Sequence, residues 1–286
     1  VVTLTDADTV ASNSVVEIYN ESNALIDSDT LVIGTNNVSF IGLLSDHEYT
    51  IKVVSDYNLG DSAGAQTDVL FATQAVSTLT KTIPTATIDS STPDYDSIDV
   101  VVTLTDADTV ASNSVVEIYN ESNALIDSDT LAIGTNNISF TGLLSDHAYT
   151  IKVVTDYDLD DGAGVQTDVV LTTQVVSTLT KIVPEITVNG LTTTEDAVTF
   201  SFDLNDIDSV YVPGTLKAVL VINNIAVASQ SVSTNTVSFD LSDFLADFAF
   251  EIRLTGDYNL DDGAGLIDDG VIDLDMTDDN EDSLDF

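Results

Sequence analysis

Carboxylates recur along this chain in a pattern suited to holding a hard cation. The stretch Asp156-Tyr157-Asp158-Leu159-Asp160-Asp161 is closed by Gly162 and Gly164, and near-copies begin at Asp56 and Asp257. A shorter cluster also recurs, as Asp6 and Asp8, Asp106 and Asp108, and Asp206 and Asp208. Like charges this close repel one another. Calcium, which takes about 6–8 oxygen ligands from carboxylates, amides and carbonyls, would relieve that repulsion. The longer stretch resembles the start of a calcium loop, D-x-[DN]-x-[DN]-G, with one residue inserted. Its glycines permit the positive φ that folds a loop around an ion.

The expected ligands in the second copy are Asp106, Asp108, Asp156, Asp158, Asp160, Asp161 and Asp168, the last as the closing ligand. In the third copy they are Asp206, Asp208, Asp257, Asn259, Asp261, Asp262 and Asp269. In the first they are Asp6, Asp8, Asp56, Asn58, Asp61 and Asp68, and this set is the weakest. There Asn58, Gly60 and Ser62 stand where the second copy has Asp158, Asp160 and Gly162. The competing reading is an ordinary hairpin turn with a solvated acidic surface.

The rest of the composition narrows the chemistry. Among 286 residues there are 49 acidic and 6 basic ones, a formal charge of -43. Phosphate binding needs Lys and Arg, so nucleic acid is not an expected partner, and an anionic membrane surface is disfavoured for the same reason. There is no Cys, which removes disulfides, thiol catalysis and Cys-ligated zinc. No Gly-rich phosphate loop and no G-x-S-x-G occurs. His47 and His147 follow an Asp, but the third copy has no His, so they read as turn residues rather than catalysts. No catalytic residues are expected, and near-identical tandem copies speak against an enzyme. No apolar run reaches the roughly 20 residues that cross a bilayer.

The carboxylates are positioned by a repeat. Residues 1–31 recur unchanged at 101–131, and 13 positions differ between 1–80 and 101–180. A diverged third copy is readable in 198–210 and 250–265. A period of this length marks a domain array. The expected division is a first repeat at 1–80, a complete repeat at 84–181, a diverged repeat at 184–274 and an acidic tail at 275–286. Val1 corresponds to Val101, inside a strand, so the first copy lacks the segment equivalent to 85–97. A preceding segment is expected to complete it, with a strand donated by another chain as the alternative.

Within each copy apolar residues alternate. Ile98, Val100, Val102 and Leu104 share one face, as do Val198, Phe200, Phe202 and Leu204. Tyr149, Ile151 and Val153 do the same, and Phe250, Ile252 and Leu254 repeat them. Period two with one apolar face predicts half-buried strands. Short strands between Asn, Asp, Ser and Gly clusters predict an all-β chain of tandem β-sandwiches, about seven strands each. The linkers TLTKTIP (78–84) and TLTKIVP (178–184) contain Pro and no Gly, which predicts stiffness.

GLLSDHEY (42–49) and GLLSDHAY (142–149) resemble the fibronectin type III signature, in which Gly-Leu precedes the Tyr that opens strand F. The resemblance implies immunoglobulin-like sandwiches with Leu143 and Tyr149 in a tyrosine corner. It also implies that the B–C and F–G loops lie at one end, where the linker from the preceding repeat arrives. The short acidic cluster would then follow strand B and the long one strand F. Departures are the absence of Trp, Ser145 where the E–F turn usually has Pro, and Phe250 in place of the Tyr.

Arrays of such acidic domains are similar to those of large bacterial surface proteins and adhesins. The expected function is therefore a structural extender at a cell surface, stiffened by calcium near the junctions, whose main partners are neighbouring repeats of the same chain. One alternative is a subunit of an extracellular filament, assembled with identical chains by strand exchange. Another is a glycan- or protein-binding module, for which Tyr57, Tyr157 and Tyr258 would be the aromatic contacts.

Overall fold

In a computed structural model, residues 1–194, 196–242 and 250–274 are described. All regular structure among them is β, as the alternation requires, and no helix is long and apolar enough to cross a membrane. The expected acidic tail, 275–286, lies outside the described residues, as does most of the long connection before Phe250.

The first repeat contributes β1 (Val2–Leu4), β2 (Ala11–Tyr19), β3 (Leu25–Thr30), β4 (Gly34–Asn36), β5 (Glu48–Tyr57) and β6 (Gln66–Ser77). The second contributes β7 (Thr85–Pro93), β8 (Ser97–Thr105), β9 (Ala111–Tyr119), β10 (Leu125–Thr130), β11 (Gly134–Thr141), β12 (Ala148–Tyr157) and β13 (Gln166–Ser177). The third contributes β14 (Glu185–Thr193), β15 (Ala197–Asn205), β16 (Lys217–Ile222), β17 (Ile225–Ser231), β18 (Thr236–Asp240), β19 (Phe250–Tyr258), β20 (Ile267–Val271) and β21 (Asp273–Leu274).

The second repeat is the reference. One sheet runs β11-β8-β7 and the other β10-β9-β12-β13, with antiparallel pairing throughout. The inward residues of β8, Ile98, Val100 and Val102, join Val116, Ile118, Phe140, Tyr149, Ile151 and Val153 in one buried cluster. Both sheets feed that cluster, an arrangement compatible with a β-sandwich repeat. A buried Phe or Ile side chain contributes roughly 1.5–3 kcal/mol against its exposed state, so this cluster is the main source of stability.

The third repeat repeats the plan with β18-β15-β14-β21 against β17-β16-β19-β20. Its last strand crosses over and pairs parallel to β14, through Glu185–Asp273 and Ile186–Leu274. In the first repeat the sheet β3-β2-β5-β6 is intact, but its partner is reduced to β1 and β4. Val2, Val38 and Phe40 are consequently only partly buried, where Val102, Ile138 and Phe140 are buried.

Two local devices fix the end opposite each repeat's own acidic loops, the end on which the next repeat's loops dock. The phenol oxygen of Tyr149 accepts the Leu144 amide at 2.9 Å, and Tyr49 does the same for Leu44. This pins the turn carrying Ser45 or Ser145. The linker is then stitched to the same turn. The Thr78 hydroxyl donates to the Leu44 carbonyl at 2.6 Å, the Asp46 amide donates to Leu79, and the Thr80 hydroxyl donates to Asp46. Thr178, Asp146, Leu179 and Thr180 repeat the set. The linker is thus tied to its own repeat by hydrogen bonds that its composition did not announce.

Candidate functional site

The first carboxylate of each short cluster caps its own turn. Asp106 accepts the Val110 amide at 3.0 Å and the Ala111 amide at 2.8 Å, one on each oxygen. Asp6 holds Val10 and Ala11, and Asp206 holds Val210 and Tyr211, in the same way. Asp is the residue for this because its short side chain reaches backbone amides a few residues on. These amides hold the acid of Asp6 below its ordinary value, that of Ala11 first.

The long cluster folds on itself in a similar manner. Asp158 accepts the Asp160 amide and Asp161 accepts the Ala163 amide, both at 2.9 Å. Asn58, Asp61, Asn259 and Asp262 make the corresponding turns. At the loop base Asp156 takes the Asn113 amide group at 2.8 Å and the Asp168 backbone amide at 2.9 Å, and these lower its pKa, Asn113 first. Asp56 is held and shifted identically by Asn13 and Asp68. Asp168, expected to close a metal loop, therefore meets Asp156 through its backbone. Its φ of 54° marks the kink where β13 leaves regular pairing with β12.

The two loops of one repeat converge on the linker and turn of the repeat before it. At the first junction the Ser45 amide donates to the Asp160 carbonyl at 2.8 Å, and the Ser45 hydroxyl donates to the Leu159 carbonyl. Asp108 accepts both the amide and the hydroxyl of Thr82, at 2.8 and 2.7 Å. The Lys81 ammonium pairs with the Asp160 carboxylate. At the second junction Ser145 meets Asp261 and Leu260, the Ile182 amide meets Asp208 at 2.8 Å, and Lys181 pairs with Asp261. Tyr95 adds a bond there, its phenol donating to Asp208 at 2.7 Å.

The strengths of these contacts differ. The Lys81–Asp160 pair is largely exposed, with 33% and 59% of the side chains accessible, and exposed pairs contribute little. Ser45 and Ser145 are buried, so their bonds to the next loop exclude water and carry more of the docking. Leu44 and Leu144 lie over Gly162 and Gly263. A Cβ at those glycines would stand 3.3 and 3.2 Å from the leucine methyls, and their φ of 86° disfavours any side chain.

The electrostatics follow this docking. The bond to Asp160 raises the Lys81 pKa, with Asp108 and Asp158 adding attraction. Thr82 holds Asp108 below its ordinary value, its hydroxyl first, and Ile182 followed by Tyr95 does so for Asp208. At each junction a lysine of the preceding repeat thus lies close to both acidic clusters.

One acidic group differs. At the F–G base of the third repeat Asp257, Asp268 and Asp269 bring carboxylate oxygens within 4.8 Å of one another. Asp268 stands where the other copies have Thr67 and Thr167, so the expected ligand set missed it. Its pKa is raised, first by its contact with Asp257 and then by the charges of Asp257 and Asp269. Lys217 pairs with Asp269 and offsets part of the charge. Three carboxylates this close fit a hard oxygen-liganded cation by donor chemistry.

The remaining candidates have structural partners. The rings of His47 and His147 bond the carbonyls of Ser45 and Ser145 at 2.7 and 2.8 Å, bracing the docking turn. Lys52 and Lys152 lie over the rings of Tyr19 and Tyr119, 3.8 and 4.1 Å from the centroids. Tyr157 is buried, Tyr57 packs beside Phe71, and Tyr258 lies against Gly270, so these tyrosines pack at their own loop bases.

Sequence reasoning missed Ser45, Ser145, Lys81, Lys181, Thr82 and Tyr95 as docking groups. A signal was present: LLSDH and TLTK occur in the first two copies and not in the third. No protein-family model and no curated protein matches the chain.

Proposed function

We propose that this chain is a section of a stiff stalk, a structural extender in an extracellular bacterial surface protein or adhesin, and not an enzyme. One observation carries the reading: two junctions use the same docking set, Ser to a loop carbonyl, linker amide to Asp, and Lys to Asp. A flexible string of repeats has no use for a conserved set of contacts at every joint, whereas an extender needs each joint set alike. The sheet orders β11-β8-β7 and β10-β9-β12-β13 support a fibronectin type III-like sandwich, and the Tyr49 and Tyr149 corners fit that family. The charge of -43 suits a salty, divalent-rich exterior.

In this reading the junction loops take their cation from Lys81 and Lys181. Calcium is assigned to Asp257, Asp268 and Asp269, where the chain's own donors leave repulsion standing. Small-angle scattering on the purified chain tests the stalk. Three sandwiches in line, each about 30 Å long, give a rod of roughly 100 Å. A scattering curve of a flexible chain with no defined cross-section or maximum length rejects the extender. Concentration-dependent growth into ordered filaments would favour the strand-exchange alternative.

A further inference from the structure

The docking contact has two halves, and of the three copies the second alone carries both. The donating half is the Leu-Ser turn with its linker lysine: Leu44, Ser45 and Lys81, then Leu144, Ser145 and Lys181. The accepting half is an Asp-x-Gly tip on the F–G loop: Asp160 with Gly162, then Asp261 with Gly263. The third copy has no Lys or Arg after Arg253 and so no linker lysine. The first copy has Gly60 and Ser62 where the accepting Asp and Gly belong.

This departure is local. The first and second copies are otherwise almost identical, yet Asn58, Gly60, Ser62 and Ala65 all differ from Asp158, Asp160, Gly162 and Val165 within eight positions. The chemistry of the two substitutions points one way. Gly60 offers no carboxylate to a linker lysine. Ser62 carries a Cβ where a docked leucine methyl leaves 3.3 Å at Gly162, tighter than ordinary van der Waals contact.

We infer that the Asp-x-Gly tip is a selectivity element for joining repeats: it locks a Leu-Ser…Lys end of this chain's own type, and the Gly-x-Ser tip of the first repeat does not. The acidic end of the first repeat is then closed to this partner. The inference rests on the stiff-array reading, and the experiment separates the two.

The chain lacks Cys, so spin labels can be placed at will. The exposed residues Ser28, Ser128 and Ser229 serve as sites, Ser28→Cys with Ser128→Cys spanning the first junction and Ser128→Cys with Ser229→Cys the second. Distance distributions are measured by pulsed electron resonance in the parent and in the double variant Asp160→Gly, Gly162→Ser. Ser62 does not hold the positive φ of Gly162, so a second variant that also carries Asp158→Asn and Val165→Ala, the complete tip with which the first repeat folds, is measured alongside and should lose the same peak. The expected result is a narrow peak at both junctions in the parent, and loss of the narrow peak at the first junction alone in the variant. Narrow peaks at both junctions in both proteins overturn the selectivity element while sparing the stalk. Broad distributions in the parent overturn the stalk itself.

Discussion

The bases of the second and third F–G loops have the same ancestry and opposite electrostatics. In the second repeat, Asp156 receives an amide group from Asn113 and a backbone amide from Asp168, and its neighbour on β13 is the uncharged Thr167. In the third repeat Asp257 keeps the backbone amide of Asp269, but Asp268 replaces the Thr and crowds it with a third carboxylate. The Asp156 pKa is held below its ordinary value and that of Asp268 above. A dense acidic sequence is therefore not one thing. Where the fold aims donors at the carboxylates their charge is met, and where it adds a carboxylate without a donor it leaves repulsion that Lys217 offsets only in part.

The largest effect should come from the packing that accompanies the third base. Gly270 sits under Tyr258, and an added Cβ would stand 2.5 Å from a ring carbon and 2.8 Å from Ile267. Gly270→Ala should destabilise the third repeat by about 1–3 kcal/mol, the usual range for overpacking. The second repeat already carries Val169 at that position, so Val169→Ala should be mild. Thermal melts followed by repeat-specific probes check the contrast.

Calcium should separate the bases next. A cation at ten times its dissociation constant stabilises the native state by about 1.4 kcal/mol. That gain should fall on the third repeat and vanish in Asp268→Asn. Titration calorimetry that finds equal sites in every repeat would contradict the assignment.

pH should move the two bases in opposite directions. The raised acid of Asp268 means the native third repeat binds its proton more tightly than the unfolded chain. Its stability falls as pH rises from the ordinary carboxylate range through the raised value, and recovers on acidification. Asp156 is lowered, so its contribution is present above the ordinary range and is lost as pH falls through the lowered value. Asp268→Asn should raise the midpoint of the third repeat at neutral pH and flatten that limb. The smallest effect should be Asn113→Ala, which removes one exposed donor and lowers the midpoint of the second repeat slightly. Chemical shifts of the carboxyl carbons would show the Asp156 acid returning toward its ordinary value.

The strands were legible because alternation is a local property. Ile98, Val100 and Val102 announce one buried face without knowledge of what covers it, and the structure buries all of them. Convergence of the two acidic loops at the linker followed from the type III resemblance, and Lys81 and Thr82 do meet Asp160 and Asp108 there. What the carboxylates do at that end was not legible. A carboxylate in sequence does not say whether its oxygens will meet an ion, a backbone amide or a neighbour's lysine. Asp106 bonds Val110 and Ala111 only because the turn after β8 brings those amides round, and Asp160 meets Lys81 across 79 positions of sequence. Asp268 escaped notice because it replaces a Thr outside the recurring motif, and only β20 pairing beside β19 sets it against Asp257.

Amide hydrogen exchange of the intact chain tests the docking of repeats most directly. The amides of Ser45, Thr82, Ser145 and Ile182 each donate to an acceptor on the following repeat. The amides of Asp46 and Asp146 beside them donate within their own repeat and serve as internal references. Docked repeats should protect all four, and Asp108→Ala should release Thr82 while leaving Ile182 protected. Free exchange of the four in the parent chain, with Asp46 and Asp146 still protected, would mean that the repeats fold separately and that the acidic loops do not join them.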